Sequence, residues 1–481
     1  MNSSPARNIF ILKMNFTNKN INFYSVFRLK PIYIFLYFLC VILFFSACHK
    51  TGNIAPKVCN DPHNKTRPNI ILILADDIGY EIPTYTGGQS YTTPTIDSLA
   101  NNGMQFNNCY SSPNCCPSRV MMLTGKYNFR NYSKWGTLNP SEKTIANMLQ
   151  SNGYFTCVAG KWQLGGGDAS VRAFGFDDYM LWNAYNEDIT GQENDKGRYK
   201  NPKIYQNGSY LPQSQTQGKY ADDMFADFIS GFIDNHTQCP FFIYYPLSLC
   251  HKPFSPTPDD AAFASWNPEN GISDISYFPS MVKYMDKKVK QIVDKVKQDS
   301  LENNTYIFFV GDNGTDSVTS LFNSRLITGG KGTCTEFGTH VPLIVSAPNN
   351  ILSNTTHENL VDFTDFFSTI ANIANIPQSS LSSFGILDGH SFYPQIQGNN
   401  SAERDWIYCY WKPSFGRATD LFKIYAQTQM YKLYDQSTNS NNFYNLRTDS
   451  LEQFPKSNQE LTTTEATIKQ QLQQVLDQMH N

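Results

Sequence analysis

The sequence predicts an α/β fold: a large, mostly parallel sheet flanked by helices, followed by a small C-terminal antiparallel sheet with one helix. Three observations predict it. Four short apolar runs, Asn69 to Ala75, Phe241 to Leu247, Thr305 to Val310 and Leu343 to Ala347, lack the alternation of a strand with one wet face; they read as strands buried on both sides. Amphipathic helical patterns lie between them, at Tyr220 to Ile233 and Phe278 to Val296, and alternating strands and helices place helices on both faces of one sheet. From Asp405 the pattern changes to short alternating segments, Trp406 to Trp411, Phe422 to Gln427 and Met430 to Tyr434, closed by a helix over Thr464 to Met479.

The chain has 481 residues, enough for a large core. Its formal net charge of −3 excludes the broad cationic surface of a nucleic-acid binder. Residues 1–48 read as an export segment, with Arg28 and Lys30 ahead of the apolar run Pro31 to Cys48 and small residues at its end. The ending Phe45-Ser46-Ala47-Cys48 resembles a bacterial lipobox. It implies a lipid on Cys48 and an extracytoplasmic address, in the periplasm or at the outer membrane; an uncleaved anchor and plain secretion are the alternatives. Residues 49–67 read as a polar tether, 68–400 as the main domain and 401–481 as a small α+β subdomain. The eleven cysteines show no C-x-x-C metal spacing.

Along the main domain, Asp76-Asp77 follows the first buried run, and two adjacent carboxylates repel each other unless a cation joins them. Cys115 opens Cys115-Cys116-Pro117-Ser118-Arg119. Pro117 suits the first turn of a helix and Gly125 its end, so Cys115 falls at a helix N-terminus, which favours anionic groups. Arg119, one turn on, shares its face. An ordinary buried thiol is the plain alternative for Cys115. Ser141 reads as the cap of a helix through Gln150, and Tyr185 to Gln217 as a long polar loop or hairpin insert where substrate contacts live. Lys161 sits in Gly160-Lys161-Trp162-Gln163-Leu164-Gly165, and His251 and Lys252 follow the second buried run. Asp312-Asn313 follows the third, although Asp-Asn-Gly also suits a turn. Asp76, Asp77, Asp312 and Asn313 together form a hard, all-oxygen set suited to Ca²⁺, with Mg²⁺ the alternative. Lys331 lies in Gly329-Gly330-Lys331-Gly332, which lacks the spacing of a nucleotide phosphate loop, and His340 precedes the fourth run.

These motifs, in this order, resemble the formylglycine-dependent sulfatases: the C-x-P-S-R signature at Cys115, the Gly-Lys-Trp stretch at Lys161, the Gly-Gly-Lys-Gly turn at Lys331, and Thr93-Pro94-Thr95-Ile96-Asp97. The resemblance implies an alkaline phosphatase-like fold and a sulfuric ester hydrolase whose catalytic domain spans 68–400. Cys115 would become formylglycine through a maturation enzyme, and its hydrate would attack sulfur. Asp76, Asp77, Asp312, Asn313 and the residue at 115 would hold Ca²⁺. Arg119, Lys161 and Lys331 would serve the nucleophile and the sulfate, and His251 would be the leaving-group acid. Gln163, Lys252 and His340 would contact substrate. Gln163 departs from the family, which commonly has His there, and the base for sulfate release is left unassigned. The implied substrate is a sulfated carbohydrate. A phosphoester or phosphonate ester hydrolase with the same nucleophile, or a non-catalytic sulfoglycan-binding lipoprotein, are the alternatives.

Overall fold

The computed structural model describes residues 67–185, 197–399, 403–412 and 422–479. The export segment with Cys48, nearly all of the tether and part of the polar insert lie outside these residues. Among the described residues, no helix is long and apolar enough to cross a membrane.

The main sheet contains β1 (Asn69–Ala75), β2 (Met104–Tyr110), β3 (Phe155–Lys161), β4 (Asp178–Trp182), β5 (Ile204–Gln206), β6 (Ser209–Tyr210), β7 (Phe241–Pro246) and β8 (Thr305–Gly311). A separate ribbon, β9 (Asp316–Phe322) and β10 (Arg325–Gly330), intervenes before β11 (His340–Ser346) and β12 (Thr355–Asp362) complete the sheet. The spatial order is β12-β2-β11-β8-β1-β7-β3-β4-β5-β6. Strands β8, β1, β7, β3 and β4 run parallel to one another. The fourth apolar run becomes β11, which is antiparallel to both β8 and β2. Strand β2 (MQFNNCY) escaped sequence reading because its outer residues are amides that interrupt the apolar run.

Strand β1 shows why the run carries no polar alternation. Ile70, Leu72 and Leu74 enter one core, whereas Ile71, Ile73 and Ala75 enter the other. Helices cover both faces: α1 (Pro94–Asn101), α2 (Cys115–Thr124), α3 (Ile145–Ser151), α4 (Ala221–His236), α5 (Phe278–Gln298) and α6 (Asp365–Ile373). Ile96, Phe225 and Met285 of α1, α4 and α5 join the second core, and Val120, Met148 and Phe366 of α2, α3 and α6 join the first. Helix α3 starts later than Ser141 would place it. Thr144 is its cap, accepting from the Ala146 N–H at 3.1 Å while Asn147 Oδ1 accepts from the Thr144 N–H at 3.0 Å. The described part of the polar insert forms the β5–β6 hairpin at the sheet edge, antiparallel to β4.

The C-terminal sheet has the order β13 (Ile407–Trp411), β14 (Lys423–Gln427), β15 (Tyr431–Tyr434), β16 (Phe443–Asn445), antiparallel throughout. Helix α7 (Thr463–Met479) packs against β14 and β15. Tyr110, Cys334 and Leu360 of the main domain share a buried cluster with Cys409, Tyr425 and Tyr434 of this sheet.

Candidate active site

The parallel strands deliver their polar residues at one edge. Register pairs Ala75 of β1 with Gly311 of β8, so the next residues, Asp76 and Asp312, emerge side by side. Lys161 ends β3, and His251 follows β7 in the same layer. This is the carboxyl edge of the sheet, where open α/β sheets bind ligands. Gly160 explains how Lys161 reaches it: its φ is +135°, and an added Cβ would lie 1.9 Å from the Pro246 carbonyl oxygen, so any side chain would push β3 from β7. Cys115 is the first residue of α2; Asn114 caps that helix by accepting the Cys115 N–H at 2.9 Å, and Gly125 ends it at φ +68°.

At the centre, Lys161 Nζ donates to both oxygens of Asp76, at 2.8 and 2.7 Å. Arg119 Nη2 donates to Asp312 Oδ2 at 2.6 Å and lies 3.5 Å from Asp76 Oδ1. Asp77 adopts a left-handed φ of 58°, and its N–H donates to Asp312 Oδ1 at 3.0 Å. Lys331 Nζ donates to Asp77 Oδ2 at 2.6 Å, and Asn313 Nδ2 to Asp77 Oδ1 at 2.8 Å. The Cys115 thiol faces Gln163 Oε1 at 3.7 Å, as does Cys116 at 3.6 Å. His251 Nε2 stands 3.8 Å from Asp77 Oδ2, and its Nδ1 faces the Lys252 carbonyl.

Burial pushes the Asp76 carboxyl up, but Lys161, Arg119, Arg198 and Lys331 outweigh it and hold it below the usual carboxylate range. Asp77 has weaker compensation: burial pushes it up to about 6, against the pull of Lys331. Hydrogen bonding from Cys116, reinforced by Lys161 and Lys331 against burial, draws the Cys115 thiol well below its ordinary value. Burial, Arg198 and Lys331 push His251 well below the usual imidazole value. Four cations, Arg119, Lys161, Arg198 and Lys331, thus face three carboxylates, and the site carries an excess positive charge suited to an anionic ligand.

The sulfatase family model matches residues 68–376, and one described as the C-terminal region of N-sulphoglucosamine sulphohydrolase matches residues 331–481. The chain belongs to the sulfatase family, whose members are sulfuric ester hydrolases. Arylsulfatase A of Bos taurus is 30% identical over 379 residues, 71% of this chain and 70% of that protein. N-acetylgalactosamine-6-O-sulfatase of Bacteroides thetaiotaomicron is 27% identical over 417 residues, 72% of this chain and 79% of the relative. Against arylsulfatase G of Rattus norvegicus, the match spans 65% of the relative's length. The crystal structure of Ps i-CgsB in complex with k-i-k-neocarrahexaose superposes with a TM-score of 0.68 at 23% identity, covering 86% of this chain and 92% of that one; it establishes the alkaline phosphatase-like fold. A non-catalytic glycan-binding lipoprotein gains no support from these matches.

Sulfatases generally use a metal ion and formylglycine, and the residues of this sulfatase fit a hard cation. Asp76, Asp77, Asp312 and Asn313 are all buried, and Asn313 Oδ1 has no hydrogen-bond partner although it is shielded from water. An orphaned buried oxygen beside three carboxylates is costly unless a cation takes it up. Cys115 Sγ and one oxygen each of Asp76 and Asp312 lie within 4.8 Å of one another; Sγ stands where an oxygen of the residue's oxidised form would stand.

Two expected substrate residues do not join this cluster. His340 stacks on Tyr80 and Tyr110, and both ring nitrogens are engaged within the protein: Nδ1 lies 2.9 Å from Glu336 and Nε2 2.7 Å from the Asn107 carbonyl. Lys252 turns away to pair with Asp316 at 2.7 Å, on the rim. Conversely, Arg198 enters the site unannounced. Its guanidinium lies 4.0 Å over the Trp182 ring and 3.4 Å from Asp76 Oδ2. The available signal was a lone Arg in a polar insert, with no motif around it.

Proposed function

We propose that this sulfatase hydrolyses a sulfate ester on a carbohydrate, with formylglycine made from Cys115 and a divalent cation. The convergence of Cys115 with Asp76 and Asp312, inside a ring of four cations, carries this reading. When present, the hydrated formylglycine supplies a hydroxyl nucleophile and the cation, Ca²⁺ with Mg²⁺ the alternative, supplies charge that favours its ionisation and polarises a sulfate oxygen. Asp76, Asp77, Asp312 and Asn313 would hold the cation beside position 115.

The chain's own residues do the rest. Arg119 donates to Asp312, opposes the burial that pushes this carboxyl well above its ordinary value, and keeps it aimed at the site. Lys161 and Lys331 present fixed positive charge where sulfate oxygens gather negative charge in the transition state. Gln163 offers an amide to the nucleophile but no proton acceptor at neutral pH. His251, with Nδ1 committed to the Lys252 carbonyl, works through Nε2. Burial and the neighbouring cations disfavour its charged form, and the incoming sulfate's negative charge offsets them; with substrate bound, Nε2 takes a proton from water and delivers it to the leaving oxygen. The match to an N-acetylgalactosamine-6-O-sulfatase supports a carbohydrate as substrate. We further propose export, with a lipid on Cys48 tethering the enzyme to a bacterial membrane, and a formylglycine-generating enzyme as its maturation partner.

Mass spectrometry of the peptide containing residue 115, from active protein made in its native host, tests the central claim. An aldehyde in place of the thiol is expected, together with sulfate release from sulfated glycosaminoglycan oligosaccharides. An unmodified cysteine in active protein refutes it, and faster turnover of matched phosphate esters would turn the assignment to phosphoester chemistry. Fatty-acid labelling lost in Cys48→Ser tests the tether.

A further inference from the structure

The turn that carries Lys331 is anchored on three sides. Lys331 donates to Asp77, the Gly332 N–H donates to the Pro113 carbonyl at 2.8 Å, and downstream Cys334 plunges into the C-terminal sheet. The Cys334 carbonyl accepts from Lys432 Nζ at 2.8 Å and from Tyr434 Oη at 3.2 Å. In that sheet, register pairs Cys409 with Tyr425 and Tyr425 with Tyr434, so the three side chains form one row on one face. Cys334 sits against this row. It is 5% exposed and Cys409 3%, and both belong to one buried cluster; after burial, the neighbouring Cys409 thiol also pushes the Cys334 thiol up. Among the described residues, Cys109, Cys157 and Cys250 are also buried thiols, and Cys239 is already disulfide-bonded.

We propose that Cys334 and Cys409 form a disulfide in the mature protein, which clamps the Lys331 turn to the C-terminal sheet. The two residues stand as thiols in the structure. In the oxidation, one thiolate attacks an external disulfide, that of a dithiol oxidoreductase or of oxidised glutathione, and the mixed disulfide is then displaced by the second thiol. One S–S bond forms within the protein, one is lost from the oxidant, and the two electrons and two protons leave as two external thiols. Once closed, the bond is shielded from exchange by its apolar surroundings. The clamp acts at a distance of three residues from Lys331, so its role is positioning; the crosslink itself does not depend on the catalytic reading.

The test uses the full chain exported into an oxidising compartment. The protein is unfolded in guanidinium with iodoacetamide before any reductant, then digested and analysed by mass spectrometry. The expected product is a linked pair of peptides carrying Cys334 and Cys409, lighter by two hydrogens than the separate thiols. Alkylation of both cysteines would overturn the proposal. Cys334→Ser and Cys409→Ser should each leave the other cysteine fully alkylated and lower the thermal midpoint by several degrees, and adding dithiothreitol to the parent should reproduce that shift. A parent midpoint indifferent to reduction would overturn the clamp.

Discussion

Lys161 grips both carboxylate oxygens of Asp76, eighty-five residues away in the chain, and neither side chain is open to solvent. Removing one member of a buried pair leaves the other charge uncompensated, at a cost of about 3–5 kcal/mol. Lys161→Met should therefore lower stability by about 3 kcal/mol in urea, since Arg119 and Arg198 still face Asp76. Turnover should fall about a hundredfold or more, as expected when a fixed charge aimed at the transition state is lost. A variant with parental stability would show that the pair is not the electrostatic keystone described.

Cys115 tests chemistry apart from folding. It is 3% exposed but small, so Cys115→Ala should cost only about 1 kcal/mol. Sulfate release should nevertheless vanish. The measurement is kcat on an aryl sulfate beside a denaturation curve; residual turnover near the parent's would remove Cys115 from the mechanism.

Chelation addresses the cation. Treating the purified enzyme with a chelator should abolish activity and lower the thermal midpoint, because an ion that binds only the folded state at a hundred times its Kd adds about 2.7 kcal/mol. Adding Ca²⁺ back should restore both. Asn313→Leu removes the orphaned oxygen, so its midpoint should respond less to Ca²⁺ than the parent's. An unchanged parental midpoint after chelation would count against the site.

Away from the cation, Asp222 at the start of α4 gives a pH test. Its Oδ1 accepts the Ser248 N–H at 3.0 Å, but Oδ2 is buried without a partner, and burial pushes the group up to about 7 from 3.8. For a carboxyl raised on folding, the native state holds the extra proton. Its contribution is therefore complete below about pH 4 and is lost as pH rises through about 7. Asp222→Asn should become more stable than the parent by up to about 4 kcal/mol at pH 8, with the gap narrowing toward pH 4. Chemical denaturation across this range measures it; a constant offset between the two proteins would contradict the assigned cause.

Much of this architecture was legible along the chain. Asn69 to Ala75 announced a strand buried on both faces, since every second residue serves a different core. Asn114, Pro117 and Gly125 bracket α2 by local backbone chemistry, which needs no distant partner. The motif residues Cys115, Arg119, Lys161, Asp312 and Lys331 could be named because each sits in a short pattern.

Meeting in space is another matter. The Ala75–Gly311 register sets Asp76 beside Asp312, and nothing in either segment encodes that pairing alone. Arg198, on the segment that leads into the edge hairpin, joins by stacking over Trp182, and His340 leaves because Glu336 and two tyrosine rings hold it elsewhere. Sequence by itself determined the elements and the residue types available for chemistry, because propensity, capping and periodicity act over a few residues. Only the tertiary structure decided which charges share one buried volume, because Coulomb interaction and desolvation depend on distance through space and not on separation along the chain.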